Sequence, residues 1–577
     1  MAETNDRLAH DRAVLESVAD RGPGAKLGAY LRLSGPGWLQ SAITLGGGSL
    51  AGGLYLGVLS GYGLMWLQPL AMLMGVAMLA AIAYVTLSTG RRPLGLVTQE
   101  VSPVLGWGWA LATLMANVVW CLPQFGLGTA AMTQNLAPEA LGGSTGKVIA
   151  VAILAAAALA TIISYERGGR GMKIFENVLK VLVGVVVLCF LGVVVKLTGV
   201  EGGIDWSAVW SGFVPDFGSL TGTPAAFAEG LAACGEAGES FWAGLIEGNR
   251  RDVILTAAAT AVGINMTFLL PNSLLDRGWD RTFRGLALSD LAVGLFVPFL
   301  LATACVVMAA SAQFHGKYNE ALVAAEPTPD AAKAVASGKS AGEYLGLLDT
   351  RLAWEHGAEQ VAEWQSADRL IEQRAALPTA DKQMAATLVR RDADDLAKAL
   401  EPLVGEQVAQ LVFGFGVVAM ALSTIVVLML INGYVVCEAL GAPHRGMTHF
   451  LGALLPLLFG AVAPFVWTKA MFWLAVPTSV FGLVLLPIAY VTFLVLMNSR
   501  RVLGDAAPTG GTRVAVNTVL GLALLLATVG ACTSIYSKTG WYGFAAAGAF
   551  VLAAVLTPRP ASAATDARDT TPQADAG

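Results

Sequence analysis

The 577-residue sequence predicts an all-α integral membrane protein of about twelve transmembrane helices, arranged as two five-helix halves of opposite topology whose first helices are broken. Three observations predict this. Hydrophobic residues make up 55% of the chain and charged ones 13%. The apolar residues gather in runs of roughly 20 instead of amphipathic stripes. Glycine or polar residues interrupt the first and sixth runs. The bilayer core offers no water to satisfy the backbone, so runs of this length form helices; barrel strands would alternate and be about half as long.

Residues 1–34 are polar and lack an apolar signal region, and they read as a cytoplasmic tail. Twelve runs follow, at 36–58, 63–88, 105–131, 147–164, 174–198, 253–275, 286–311, 408–438, 449–467, 471–497, 513–536 and 540–557. Basic residues fall in the tail and in alternate connections: "TGRRPLG", "SYERGGRGMK", "DRGWDRTFRG", "APHRGMTH" and "NSRRVLGDAAPTGGTR". Under the positive-inside rule these are cytoplasmic, which puts both termini inside and the chain in the inner membrane. One missed helix would throw the later connections out of phase, so their agreement supports the count. The transporter core therefore divides into 35–311, helices one to seven, and 408–557, helices eight to twelve. A disordered cytoplasmic tail, 558–577, closes the chain.

Between the two core parts, residues 312–407 carry "AGEYLGLLDTRLAW", "EQVAEWQSADRLIEQRAAL" and a stretch that Thr379 can cap, all with helical spacing. They read as a helical extracytoplasmic insert whose protein partner the sequence does not identify. The other long outside segment, 199–252, places Glu229, Glu236, Glu239 and Glu247 near one helical face, either a solvated face or a cation vestibule. Six cysteines are scattered singly without metal-ligand spacing, as buried small residues are. All five histidines fall outside the apolar runs, which excludes a histidine-ligated metal or haem in the membrane; no cofactor is expected. Without a P-loop, HExxH, GxSxG or intramembrane carboxylate pair, nothing assembles a nucleophile, base and oxyanion donors, so the chain is not read as an enzyme. No basic face supports nucleic-acid binding.

The interruptions carry the functional reading. Span one contains Gly46, Gly47, Gly48 and Ser49; span six reads "AVGINMTFLLPNSLL", with Gly263, Asn265, Thr267 and Pro271. Glycines alone suit close helix packing, as Gly48, Gly52 and Gly53 can provide. The matching breaks in corresponding helices of the two halves point instead to a mid-membrane binding site. Its candidate residues are the backbone of Gly46, Gly47 and Gly48, the side-chain oxygens of Ser49, Asn265 and Thr267, and Met266 as a soft donor or a core filler. Asn117 and Gln124 in span three and Ser423 and Thr424 in span eight are accessory candidates, with interhelical bonding or back-bonding as their structural alternatives.

At these residues the chain resembles the Nramp (natural resistance-associated macrophage protein) divalent-metal transporters of the APC superfamily, as a divergent branch. "GPGWLQSAITLGGGS" is similar to the family's GPG, eight residues and DPGN metal motif of helix one. "GYGLMWLQPLAMLMG", "ALSDLAVGLFVPFLLATACVVMAA", "GYVVCEAL" and "LPIAYVTFLVLMNSRRVLG" are similar to parts of helices two, seven, eight and ten. The resemblance implies a LeuT-like fold with a 5+5 inverted repeat. It also marks departures. The DPGN Asp and Asn fall on Gly46 and Ser49, and the helix-six Met of MPH falls on Asn265 or Thr267, so neither carboxylate nor thioether carries over. The acidic pair of the family's proton route falls near Cys121 and Gln124. Ser49, Asn265 and Thr267 are then the tentative metal ligands, in a site without formal charge. Such a site suits a hard, largely hydrated cation such as Mg²⁺, moved by alternating access without proton coupling. The alternatives are an anion or small organic solute held in a backbone nest, or a membrane sensor that does not transport.

Overall fold

The structure, a computed structural model, describes residues 2–18, 20–167, 170–200, 203–336, 338–390, 405–467 and 471–557. The tail expected at 558–577 and residues 391–404 of the insert lie outside them. The described residues contain helices and turns and no strand.

Span one is two half-helices, Pro36–Thr44 and Gly47–Ser60, bent by 52°. The break itself is Leu45 and Gly46; Gly47 and Gly48 already belong to the second half. Spans two to five are Leu67–Thr89, Pro103–Ala130 with a wider turn over Ala131–Leu136, Gly143–Glu166 and Arg170–Thr198. Span six is again two half-helices, Gly235–Ala259 and Ile264–Asp276. It begins far earlier than the expected residue 253. Residues 235–252 are half polar and so escape a hydropathy reading, but Trp242, Ile246 and Val253 bury one face of the extension. Glu236, Glu239 and Glu247 lie on its exposed face, and Glu229 just before it is exposed too.

Span seven runs from Arg284 to Phe314 through a wider turn at Leu291–Phe296. Spans eight to ten are Glu406–Leu440, Met447–Gly460 with Ala463–Val466, and Met471–Met497. The last two expected spans form one element, Gly510–Leu556, with a non-helical Gly540 inside it (φ 58°). Its 47 residues would reach about 70 Å if straight, more than twice a hydrocarbon core. The side chains show that the chain turns back. Arg513, near its start, donates to Asn498, and Arg501 pairs with Glu100; Lys538 pairs with Asp252 on the outer part of span six; Ala554 then accepts from Ser102. Residues 510–539 and 541–556 therefore cross in opposite directions.

Glycine sets how closely the spans approach. A Cβ on Gly57 would lie 2.7 Å from the Ala310 Cβ and the Val307 carbonyl, and one on Gly53 would lie 3.2 Å from Val306. This stripe lets the second half of span one lie against span seven, the packing role that small residues have in membranes. The first part of the insert contains the helices Glu320–Ala324, Pro329–Val335, Gly338–His356, Ala358–Ser366, Leu370–Ala376 and Thr379–Leu388. It docks on the extension of span six through Asp381, fully buried, which accepts from the Trp242 indole N–H at 2.6 Å and the Arg351 Nε at 3.0 Å.

Of the histidines, His449 departs from expectation. It sits in the first turn of span nine, fully buried, with Nδ1 against Glu166. Among the described residues no three His, Cys, Asp or Glu side chains group as metal ligands. Cys121, Cys234, Cys305 and Cys437 are buried; Cys189 and Cys532 are partly so.

Candidate functional site

The two breaks meet around a small cavity. Span one lines it with Ile43, Thr44, Gly46, Gly48 and Ser49; span six with Thr260, Gly263 and Met266; span three with Trp120, Pro123 and Gln124. Thr424 of span eight and Thr478 and Ser479 of span ten complete the wall. No carboxylate, histidine, lysine or arginine is among these residues.

Four helix ends converge here, and their electrostatics differ. The half-helices Gly47–Ser60 and Ile264–Asp276 begin at the cavity, so their free N–H groups would present positive potential. Both starts are capped from within. The Gly47 N–H donates to Gln124 Oε1 at 2.9 Å, and the Met266 N–H donates to Asn265 Oδ1 at 2.8 Å. The half-helices Pro36–Thr44 and Gly235–Ala259 end at the cavity, and their carbonyl ends carry negative potential. Ser49 donates its hydroxyl to the Thr44 carbonyl and lies 3.5 Å from that of Thr260.

Met266, a candidate soft donor, brings a thioether to the cavity. Its Sδ accepts from the Thr44 hydroxyl at 3.1 Å and lies 3.4 Å from the Gly263 N–H, and the residue lines the cavity. The register of two residues left open in the sequence had placed the thioether position on either side of it.

The predicted residues thus divide. Gly46, Gly48, Ser49, Met266, Gln124 and Thr424 line the cavity, and the Gly47 amide is the group that Gln124 holds. Asn265 is fully buried behind the wall, its Oδ1 used as a cap and its Nδ2 without a partner among the described residues. Thr267 faces away: its hydroxyl donates to the Ile264 carbonyl and accepts from the Trp109 indole N–H at 2.9 Å. Asn117 donates to Asn432 of span eight at 2.8 Å, an interhelical bond. Ser423 and Thr424 both donate to the Ala42 carbonyl, at 3.1 and 3.2 Å, and fasten span eight to the end of the first half-helix. Trp120, Thr44, Thr260, Thr478 and Ser479 were missed. Hydroxyls on apolar helices mostly bond their own backbone, so their types carry no signal; only the proximity of Thr44 and Thr260 to the breaks did.

The inner half of span six is also held at its far end. Asp276 Oδ2 accepts from the hydroxyls of Tyr165 at 3.1 Å and Tyr434 at 2.9 Å, while His444 Nδ1 lies 3.0 Å from Oδ1. Spans four, eight and the start of the connection to span nine therefore grip the half-helix that opens at Met266.

The family model described as natural resistance-associated macrophage protein-like matches residues 37–343 and 375–533. Among solved structures, the Eremococcus coleocola manganese transporter in complex with an aromatic bis-isothiourea substituted compound is similar, with a TM-score of 0.60 at 14% identity, covering 93% of this chain and 94% of that one. A histidine-to-alanine mutant of that transporter gives a TM-score of 0.58 at 14% identity, covering 92% of this chain and 93% of that one. At this identity the likeness shows the fold. No curated protein matches the sequence.

Proposed function

The chain belongs to the Nramp family with its LeuT-like fold, and from that premise we propose that it carries a divalent metal cation across the membrane by alternating access. One observation supports a cation most directly: two half-helices, Pro36–Thr44 and Gly235–Ala259, end at a cavity whose lining includes the Ser49 hydroxyl and the Met266 thioether, while the Gly47 N–H at a half-helix start is held by Gln124. The similar solved structures are of a manganese transporter, which agrees in class.

The cavity has no carboxylate to replace the water of a bare transition-metal ion, so a cation that keeps much of its hydration, as Mg²⁺ does, fits it best. Ser49 and the carbonyls near Thr44 and Thr260 are the hard donors, and Met266 adds one soft donor. Asn265 and Thr267 act behind them, the first by capping, the second by anchoring on Trp109. With Cys121 and Gln124 where the family places its acidic pair, the transport is not proton-coupled and runs down the ion gradient or membrane potential. The basic connections put both termini in the cytoplasm and the chain in the inner membrane.

Calorimetric titration of the purified protein tests the sign of the site. Mg²⁺ and Mn²⁺ bind, Ser49→Ala weakens both, and acetate and phosphate do not bind. Saturable binding of either anion, lost in Ser49→Ala, would contradict the cation reading.

A further inference from the structure

Trp120 stands on span three at the level of the breaks, and its indole N–H donates to the Thr478 carbonyl of span ten at 2.6 Å. The ring lines the cavity between two unusually close backbones. A Cβ built at Gly263, which caps the inner half-helix of span six, would lie 2.2 Å from Trp120 Cη2; one built at Gly482 of span ten would lie 2.2 Å from Cζ2. Real Cβ atoms essentially never approach within 3.0 Å, so the ring occupies its place only because both positions are glycine. A large side chain is thereby fixed by one hydrogen bond and two slots on separate elements.

We infer that the Trp120 indole is the wall that sets the width of the cavity and so selects a small cation over a larger one. The inference rests on the cation reading above. In a site of neutral oxygens, charge does not separate Mg²⁺ from Ca²⁺, and room for the coordination shell does. Mg²⁺ takes six oxygens at about 2.0–2.1 Å, whereas Ca²⁺ takes six to eight at about 2.3–2.6 Å. A wall held at both its edge and its N–H does not retreat to admit the wider shell. Trp120 is in this sense a specificity-determining residue, and Gly263 and Gly482 position it.

Uptake of Mg²⁺ and Ca²⁺ into proteoliposomes by Trp120→Ala, Trp120→Phe and Gly482→Ala tests this. Trp120→Ala raises the Ca²⁺-to-Mg²⁺ ratio by about tenfold or more, and Trp120→Phe, which loses the N–H and the ring edge in the two slots but keeps part of the bulk, raises it by less. Gly482→Ala lowers uptake of both ions, and combining it with Trp120→Ala restores uptake, because the added methyl then has space. An unchanged ratio with both rates reduced would overturn the inference, since a merely structural tryptophan behaves that way. Width is also read without flux, by labelling Ser479→Cys with thiol reagents of graded size above the baseline of the native cysteines. Trp120→Ala admits the larger reagent faster, and an equal rate would overturn the inference. Absence of all cation flux in the unsubstituted protein would instead overturn the transport reading, and the labelling rate would then judge Trp120 alone.

Discussion

The amide of Gly47 and the carboxamide of Gln124 form the contact on which the polarity of the cavity turns. Gln124→Ala leaves a buried N–H unsatisfied, at a cost of about 1–3 kcal/mol, and opens the half-helix start to anions. We expect cation uptake to fall and small anions, inert on the unsubstituted protein, to inhibit what remains; uptake assays with added acetate check it. The residue scale is also where the sequence was least legible. Glycines at 46–48 announce a break because no side chain is there to hide it. Asn265 announces only a buried amide, and whether its oxygen meets a ligand or caps its own helix is settled by a rotamer that spacing does not encode. Met266 was ambiguous because a shift of one residue on a broken helix turns a wall residue into a core residue.

At the scale of elements, run length and hydropathy located the crossings, and matching interruptions located the breaks. The extension of span six was not legible, because its buried side chains pack against span one, the 219–222 loop and the insert and not against lipid. Close contacts tie the ends of these elements together. His315, just beyond span seven, has Nδ1 2.9 Å from the Val58 carbonyl of span one, and burial holds its pKa below the usual 6.5. The folded protein therefore favours neutral imidazole more strongly than the unfolded chain does. Its contribution is complete above about pH 6.5 and declines as the pH falls toward the lowered folded value. Thermal unfolding in detergent between pH 5 and 8 should show Tm falling on the acid side. The slope should be reduced in His315→Gln; an identical slope in that variant would assign the acid loss elsewhere.

For the whole molecule, the legible features were those with long-range regularity: alternating basic connections, two halves of opposite direction, and a helical segment between them. The turn at Gly540 was also visible, as a gap between apolar runs, although the backbone there is continuous enough to form one long element. What the sequence could not show is how the insert is joined to the membrane spans. Asp381 with Arg351 and Trp242 joins it to the outer half of span six, and Arg390 lies over Trp473 of span ten at 4.2 Å. The insert is thus fastened to spans six and ten. All of this serves one claim, that a neutral site of carbonyls, hydroxyls and one thioether carries a divalent cation. The most direct measurement is uptake of Mg²⁺, Mn²⁺ and Ca²⁺ by the purified protein in proteoliposomes at fixed membrane potential, with internal pH recorded. The account predicts saturable divalent-cation uptake that is lost in Ser49→Ala and proceeds without proton influx. No uptake of any of the three ions by folded protein, or uptake with stoichiometric acidification of the lumen, would contradict it.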